Sequence, residues 1–128
     1  MFYLLKVNNG ENNVGDAVEV TSTAGTTAKL CAAYTAAGAL ATGDVAAEYI
    51  CIEGGNDGKT VPAGGKFLAI PITSDMVFKT TASGTVAVNS AYTIASGGES
   101  ITTTAASAGK CALVVAVEGT EVRVKLKV

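Results

Sequence analysis

The closing residues, Glu121 to Val128, alternate without exception. Val122, Val124, Leu126 and Val128 fall on one side, and Glu121, Arg123, Lys125 and Lys127 on the other. Successive side chains of an extended chain point to opposite faces, so this is a strand with one face buried and one in water. Such a strand is not stable alone and demands a sheet to pair with and a core to cover. Just before it, Cys111 to Glu118 is almost continuously apolar, as in a strand covered on both faces. Gly119-Thr120 lies between the two and predicts a tight hairpin.

The same reading extends back through the chain. Strand composition, rich in Val, Ile, Thr and aromatics, recurs at Phe2–Val7, Ala17–Thr21, Glu48–Glu53, Lys66–Ile72, Met76–Thr80, Thr85–Val88, Tyr92–Ala95 and Ser100–Thr104. Turn clusters separate these segments: Asn8-Asn9-Gly10, Gly54-Gly55-Asn56-Asp57-Gly58, Ala63-Gly64-Gly65 and Ser96-Gly97-Gly98. No long amphipathic stretch intervenes. The expected fold is therefore all-β, a small single-domain β-barrel or β-sandwich of short antiparallel strands. Ala-rich Leu30 to Ala41 allows at most one short helix, because its threonines and Gly38 disfavour a longer one. At 128 residues the chain suits one domain. No internal repeat or linker is legible, so residues 1–128 read as one β domain, with 1–13 as a candidate extended arm.

The residue inventory restricts the chemistry. There is no histidine, which removes the commonest general base, the commonest metal ligand and the usual partner of a Ser or Cys nucleophile. Cys31, Cys51 and Cys111 are odd in number and lack CxxC spacing, so they read as small core thiols, and neither as a zinc site nor as a disulfide framework. Carboxylates are scattered, and sequence pairs none of them. Glu53-Gly54-Gly55-Asn56-Asp57-Gly58 lacks the alternating acids and closing glutamate of a calcium loop, and Gly64-Gly65-Lys66 lacks the frame of a phosphate loop. A net charge of -2 offers no field for nucleic acid or an anionic membrane. No enzyme activity and no cofactor are expected. A carbohydrate-binding module would need aromatic platforms, and only Tyr34, Tyr49 and Tyr92 suggest themselves. Arg123, Lys125 and Lys127 read as a solvated strand face that discourages edge aggregation.

Met1, Phe2, Tyr3, Leu4 and Leu5 form an apolar opening followed by the polar run Asn8 to Asn13. They are the candidate partner-contact residues, either as a first strand in the domain's own sheet or as an arm laid on a partner. The opening has no basic leader and is too short for a signal peptide, so a cytoplasmic start is expected.

Three stretches together resemble one family. They are Tyr49-Ile50-Cys51-Ile52-Glu53, then Ile70-Pro71-Ile72-Thr73-Ser74-Asp75-Met76-Val77-Phe78-Lys79-Thr80-Thr81, and Val117-Glu118-Gly119-Thr120-Glu121-Val122-Arg123-Val124. Gly15-Asp16-Ala17-Val18-Glu19-Val20 adds an entry strand. Together they are similar to small capsid decoration, or cement, proteins of tailed bacteriophages, over roughly Asn13 to Val128 and departing in the Thr/Ala stretch Thr21 to Ala41. The resemblance implies a β module on the outside of an assembled head, with the major capsid protein and neighbouring copies as partners. It implies location in the virion, host cytoplasm during assembly, and no catalytic residues. The alternatives are another structural β module, such as a tail or fibre domain or a surface adhesin domain, and a small enzyme.

Overall fold

The computed structural model describes residues 1–7, 17–53, 58–107 and 111–127. Strands cover about half of these residues, and no helix occurs among them. The strands are β1 (Tyr3–Val7), β2 (Val18–Thr21), β3 (Thr26–Ala28), β4 (Ala33–Tyr34), β5 (Tyr49–Cys51), β6 (Lys59–Val61), β7 (Lys66–Pro71), β8 (Met76–Thr81), β9 (Ala91–Ile94), β10 (Ile101–Ala105), β11 (Ala112–Glu118) and β12 (Glu121–Lys125). They form a sheet of order β1-β8-β12-β11-β9-β10, a second of order β2-β7-β5-β4, and the ribbon β3-β6. Every strand pair is antiparallel. The sheets stack in a sandwich-like arrangement and neither closes into a barrel.

The final hairpin follows the alternation in its sequence. Val122, Val124 and Leu126 are buried, while Glu121 and Arg123 are exposed. Glu118 pairs with Glu121 across the turn, and Gly119 at its first central position has φ +66, a conformation that costs glycine little. The expectation of double cover for Cys111 to Glu118 holds only for its first half, since Val117 and Glu118 are exposed. Leu30–Ala41 contains no helix. Cys31 and Gly38 both have left-handed backbone, φ 60 and φ 74, and Ala33 and Tyr34 pair instead with β5. Gly38 is required there, because a Cβ on it would lie 2.7 Å from the Ser22 Cα and the Thr21 carbonyl. The expected strand at Thr85–Val88 is absent, while β3, β4 and β6 were not legible.

Two hydrophobic clusters make up the interior. One holds Val20, Tyr34, Cys51, Val61, Phe67 and Ala69, between the four-stranded sheet and the ribbon. The other holds Phe78, Ile94, Ile101, Val114, Val122 and Val124 of the six-stranded sheet. It is closed by Phe2, Ala33, Ala41, Ala47, Ile50 and Ile72. The four-stranded sheet is thus a middle layer. Val20, Cys51, Phe67 and Ala69 point to one core, and Ala33 and Ile50 to the other.

The structure also contains a repeat that the sequence hides. Strands β2-β7-β5-β4 and β8-β12-β11-β9 have the same order and the same register. Val18 to Thr21 pairs with Ala69 to Lys66 as Phe78 to Thr81 pairs with Val124 to Glu121. Cys51↔Ala69 and Ile50↔Ile70 correspond to Val114↔Val124 and Leu113↔Lys125. The turns match bond for bond. Cys31 N–H donates to the Cys51 carbonyl at 2.9 Å and Cys51 N–H to Ala32 at 3.1 Å; Asn89 N–H donates to Val114 at 2.8 Å and Val114 N–H to Ser90 at 3.0 Å. Cys31 (φ 60) and Asn89 (φ 68) are the non-glycine residues with positive φ among those described. Lys29 N–H donates to the Tyr34 hydroxyl at 2.9 Å, and Ala87 N–H to the Tyr92 hydroxyl at 2.8 Å. Ser22 N–H bonds Gly65 and Thr23 N–H bonds Ala37, as Ala82 bonds Thr120 and Ser83 bonds Ile101. The chain is two β units in tandem, with β1 added to the free edge of the second.

Candidate functional site

The residues expected to contact a partner lie at the edge of the six-stranded sheet. β1 pairs with β8, Tyr3 opposite Lys79 and Leu4 opposite Phe78, with a bulge between Leu4 and Lys6. Alternation divides the segment. Phe2 is fully buried in the second core and Leu4 packs against it. Met1, Tyr3 and Leu5 are 37%, 47% and 46% exposed. The Phe2 N–H donates to the Cys31 carbonyl at 2.8 Å, which ties the start of β1 to the first unit. Tyr3 to Leu5 therefore belongs to a strand of the domain's own sheet, anchored by Phe2 just before it, and Met1, Tyr3 and Leu5 make an outward apolar face.

That face has defined neighbours. The Tyr3 hydroxyl donates to the Met1 sulfur at 2.8 Å, and the Lys79 ammonium lies 5.9 Å from the centre of the Tyr3 ring, within cation–π range. Beside them runs a shallow groove of about 380 Å³ lined by Met1, Tyr3, Lys79, Thr80, Thr81 and Glu121. The groove offers an aromatic face, a thioether, one cation and one carboxylate.

Polar groups elsewhere are engaged with one another. Lys127 bonds Glu48 at 2.7 Å, Lys29 bonds Glu99 at 3.3 Å, and Arg123 lies 3.6 Å from Glu118. Glu53 lies 3.8 Å from Lys59 and Gly58 N–H donates to the Ala28 carbonyl at 2.8 Å, while residues 54–57 of the loop considered for calcium lie outside the described residues. Among the described residues no group of three or more Cys, Asp or Glu could hold a metal ion. Gly64-Gly65 is simply the turn between β6 and β7, Gly65 N–H bonding Pro62 at 2.8 Å. All three cysteines are thiols. Cys51 and Cys111 are buried and Cys31 is half-buried.

Two features were not legible in the sequence. The Cys111 sulfur lies 3.3 Å from the Gly43 and Val45 carbonyls and 3.5 Å from Asp44 Oδ1. Asp44 also accepts the Ser107 hydroxyl at 3.1 Å, so the 43–45 loop is stapled to the start of β11. These partners are more than sixty positions apart in the chain, and no local signal could link them. The second feature is a cleft beside Gly84 to Val86, whose only sequence signal was the strand-like composition of Thr85–Val88. Of the tyrosines considered as sugar platforms, Tyr34 is fully buried against Phe67, ring centres 4.5 Å apart, and Tyr49 and Tyr92 are half-buried. Comparison with known proteins returns no matching family model, no matching characterised protein and no matching solved structure.

Proposed function

We propose that this chain is a structural virion protein that binds the outer surface of an assembled phage head and stabilises it, turning over no substrate. The observation that carries the reading is β1. Phe2 locks the strand to the core while Met1, Tyr3 and Leu5 stay open to solvent. A rigid strand presenting an aromatic and an aliphatic side chain loses little conformational entropy on binding, and aromatic residues and Met are enriched at interfaces. The resemblance of Tyr49–Glu53, Ile70–Thr81 and Val117–Val124 to decoration proteins points to the major capsid protein as the partner. A small sandwich with one such face binds weakly by itself. A lattice of identical sites, with neighbouring copies holding one another, makes weak contacts persistent.

The test is to incubate purified protein with undecorated, expanded heads and image them. Saturable occupancy at regular lattice positions, with greater resistance of the heads to heat, is expected. Heads that stay bare sink the proposal. Because Phe2 is core, point variants are better probes here than deletion of Met1 to Leu5. Replacing both Tyr3 and Leu5 with serine should leave folding intact and weaken binding at least about tenfold, the loss expected when apolar anchors are removed from an interface.

A further inference from the structure

The tandem repeat shows what one half possesses and the other lacks. In the first unit, β3 is paired by β6, with Thr26 opposite Val61, Thr27 opposite Thr60 and Ala28 opposite Lys59. Val61 is buried there in the same cluster as Phe67. The matching turns align Lys29 with Ala87, so Thr26–Ala28 corresponds to Gly84–Val86, and both Ala28 and Val86 are buried. The connection after β5, from Cys51 to Lys66, contains β6. The equivalent connection in the second unit, from Val114 to Glu121, runs straight through the β11–β12 hairpin. Among the described residues, no strand of the second unit stands in the place of β6.

That place is open. Gly84, Thr85 and Val86 make no backbone hydrogen bond among the described residues. Beside them lies a cleft of about 300 Å³ bordered by Gly84, Val86, Val117 and Thr120. Thr120 is the counterpart of Gly65, which lies directly against Val61 in the first unit. Val117, on the core-facing side of β11, is 39% exposed at the cleft. Thr85–Val88 thus has the composition of a strand but pairs with no strand among the described residues.

We infer that this cleft is the docking site for an extended strand of a partner polypeptide. The strand adds antiparallel to Gly84–Val86 and sets a β-branched aliphatic side chain where Val61 sits in the first unit. The first unit supplies the pattern for the occupant, because there the equivalent segment Thr26–Ala28 is paired by Lys59-Thr60-Val61. In strand addition, main-chain bonds supply affinity and the side-chain pocket supplies selectivity. On the reading proposed above, on which this part of the inference rests, the donor is an exposed arm or loop of the capsid protein.

The experiment titrates the isotope-labelled full chain with acetyl-Gly-Lys-Thr-Val-Pro-amide, the sequence of its own residues 58–62. Saturable amide shifts at Gly84, Thr85, Val86 and Val117 to Thr120 are expected at millimolar peptide. They should weaken at least about tenfold for Val117→Lys, and likewise for a peptide with Asp in place of Val, as for loss of one apolar pocket contact. The second comparison needs no protein variant. No shifts at millimolar peptide, or shifts indifferent to both changes, overturn the inference. Head binding separates the two proposals. If wild type and Val117→Lys decorate heads equally, the cleft is not the lattice contact and the decoration reading stands. If wild type leaves heads bare while the peptide binds, decoration falls and the strand dock stands. Dimerisation in sedimentation that Val117→Lys abolishes would make another copy the donor, overturning the assignment to the capsid protein.

Discussion

Tyr34 and Tyr92 hold equivalent turns through one hydroxyl each, but in different surroundings. The Tyr34 hydroxyl accepts from Lys29 N–H and donates to the Thr27 carbonyl inside a fully buried setting. Tyr34→Phe leaves those groups unpaired and should cost about 1–3 kcal/mol in denaturant melts. Tyr92→Phe should cost less, because its partner Ala87 is exposed and water can replace the hydroxyl. Ser22 presents the opposite case. Its hydroxyl is buried with no hydrogen-bond partner among the described residues, so Ser22→Ala should be neutral or stabilising by up to about 1 kcal/mol. Cys31 occupies a left-handed position at a bulge, where glycine is the usual residue. Cys31→Gly should be tolerated, whereas Cys31→Val forces a β-branched side chain into that conformation and should cost about 1–3 kcal/mol. In native protein Cys31 should also label with thiol reagents before Cys51 and Cys111. Faster labelling of a buried thiol would contradict the burial pattern.

Elements were legible where one face is buried and the other wet. β12 shows its register in its own sequence, since alternation leaves only one way for Val122 and Val124 to reach the core. Val124→Asp places an unpaired carboxylate among buried aliphatics and should unfold the domain. Arg123→Glu, on the exposed face, should stay within about 1 kcal/mol, because the 3.6 Å pair with Glu118 is solvent-exposed. Equal melting temperatures for the two variants would show that β12 has the other register. The strands that sequence missed, β3, β4 and β6, have two or three residues each, too few for a period to show. Thr85–Val88 failed for a different reason. Its residues suit a strand, but pairing is a property of two segments, and sequence composition reports on one. The candidate contact residues Met1 to Leu5 were legible as an apolar group, but their division into anchors and outward residues depends on the pairing of β1 with β8.

At the scale of the whole molecule, the repeat escaped the sequence because equivalence lies in backbone bonds rather than in residue types. Tyr34 and Tyr92, Ala33 and Ala91, and Thr21 and Thr81 coincide, while Cys51 faces Val114, Phe67 Val122 and Lys66 Glu121 at the other equivalent positions. The connecting loops differ in length, so no single offset aligns the two halves. The second core is closed by residues of the first half, Phe2, Ala33, Ile50 and Ile72 among them, so the units should not unfold separately. Phe78→Ala in one core and Phe67→Ala in the other should each cost about 3–5 kcal/mol and leave a single calorimetric transition; two resolved transitions would refute the shared core. The same packing explains the basic stripe of the last strand. Where the first unit turns Ile50 and Ile70 toward its neighbour, the second has Leu113 and Lys125, and where the first has Leu68, the second has Arg123. Repeat proteins add units for as long as each outer face can receive another, and a polar terminal face is what makes an array finite. Arg123 and Lys125 give the second unit an outer face of that polar kind.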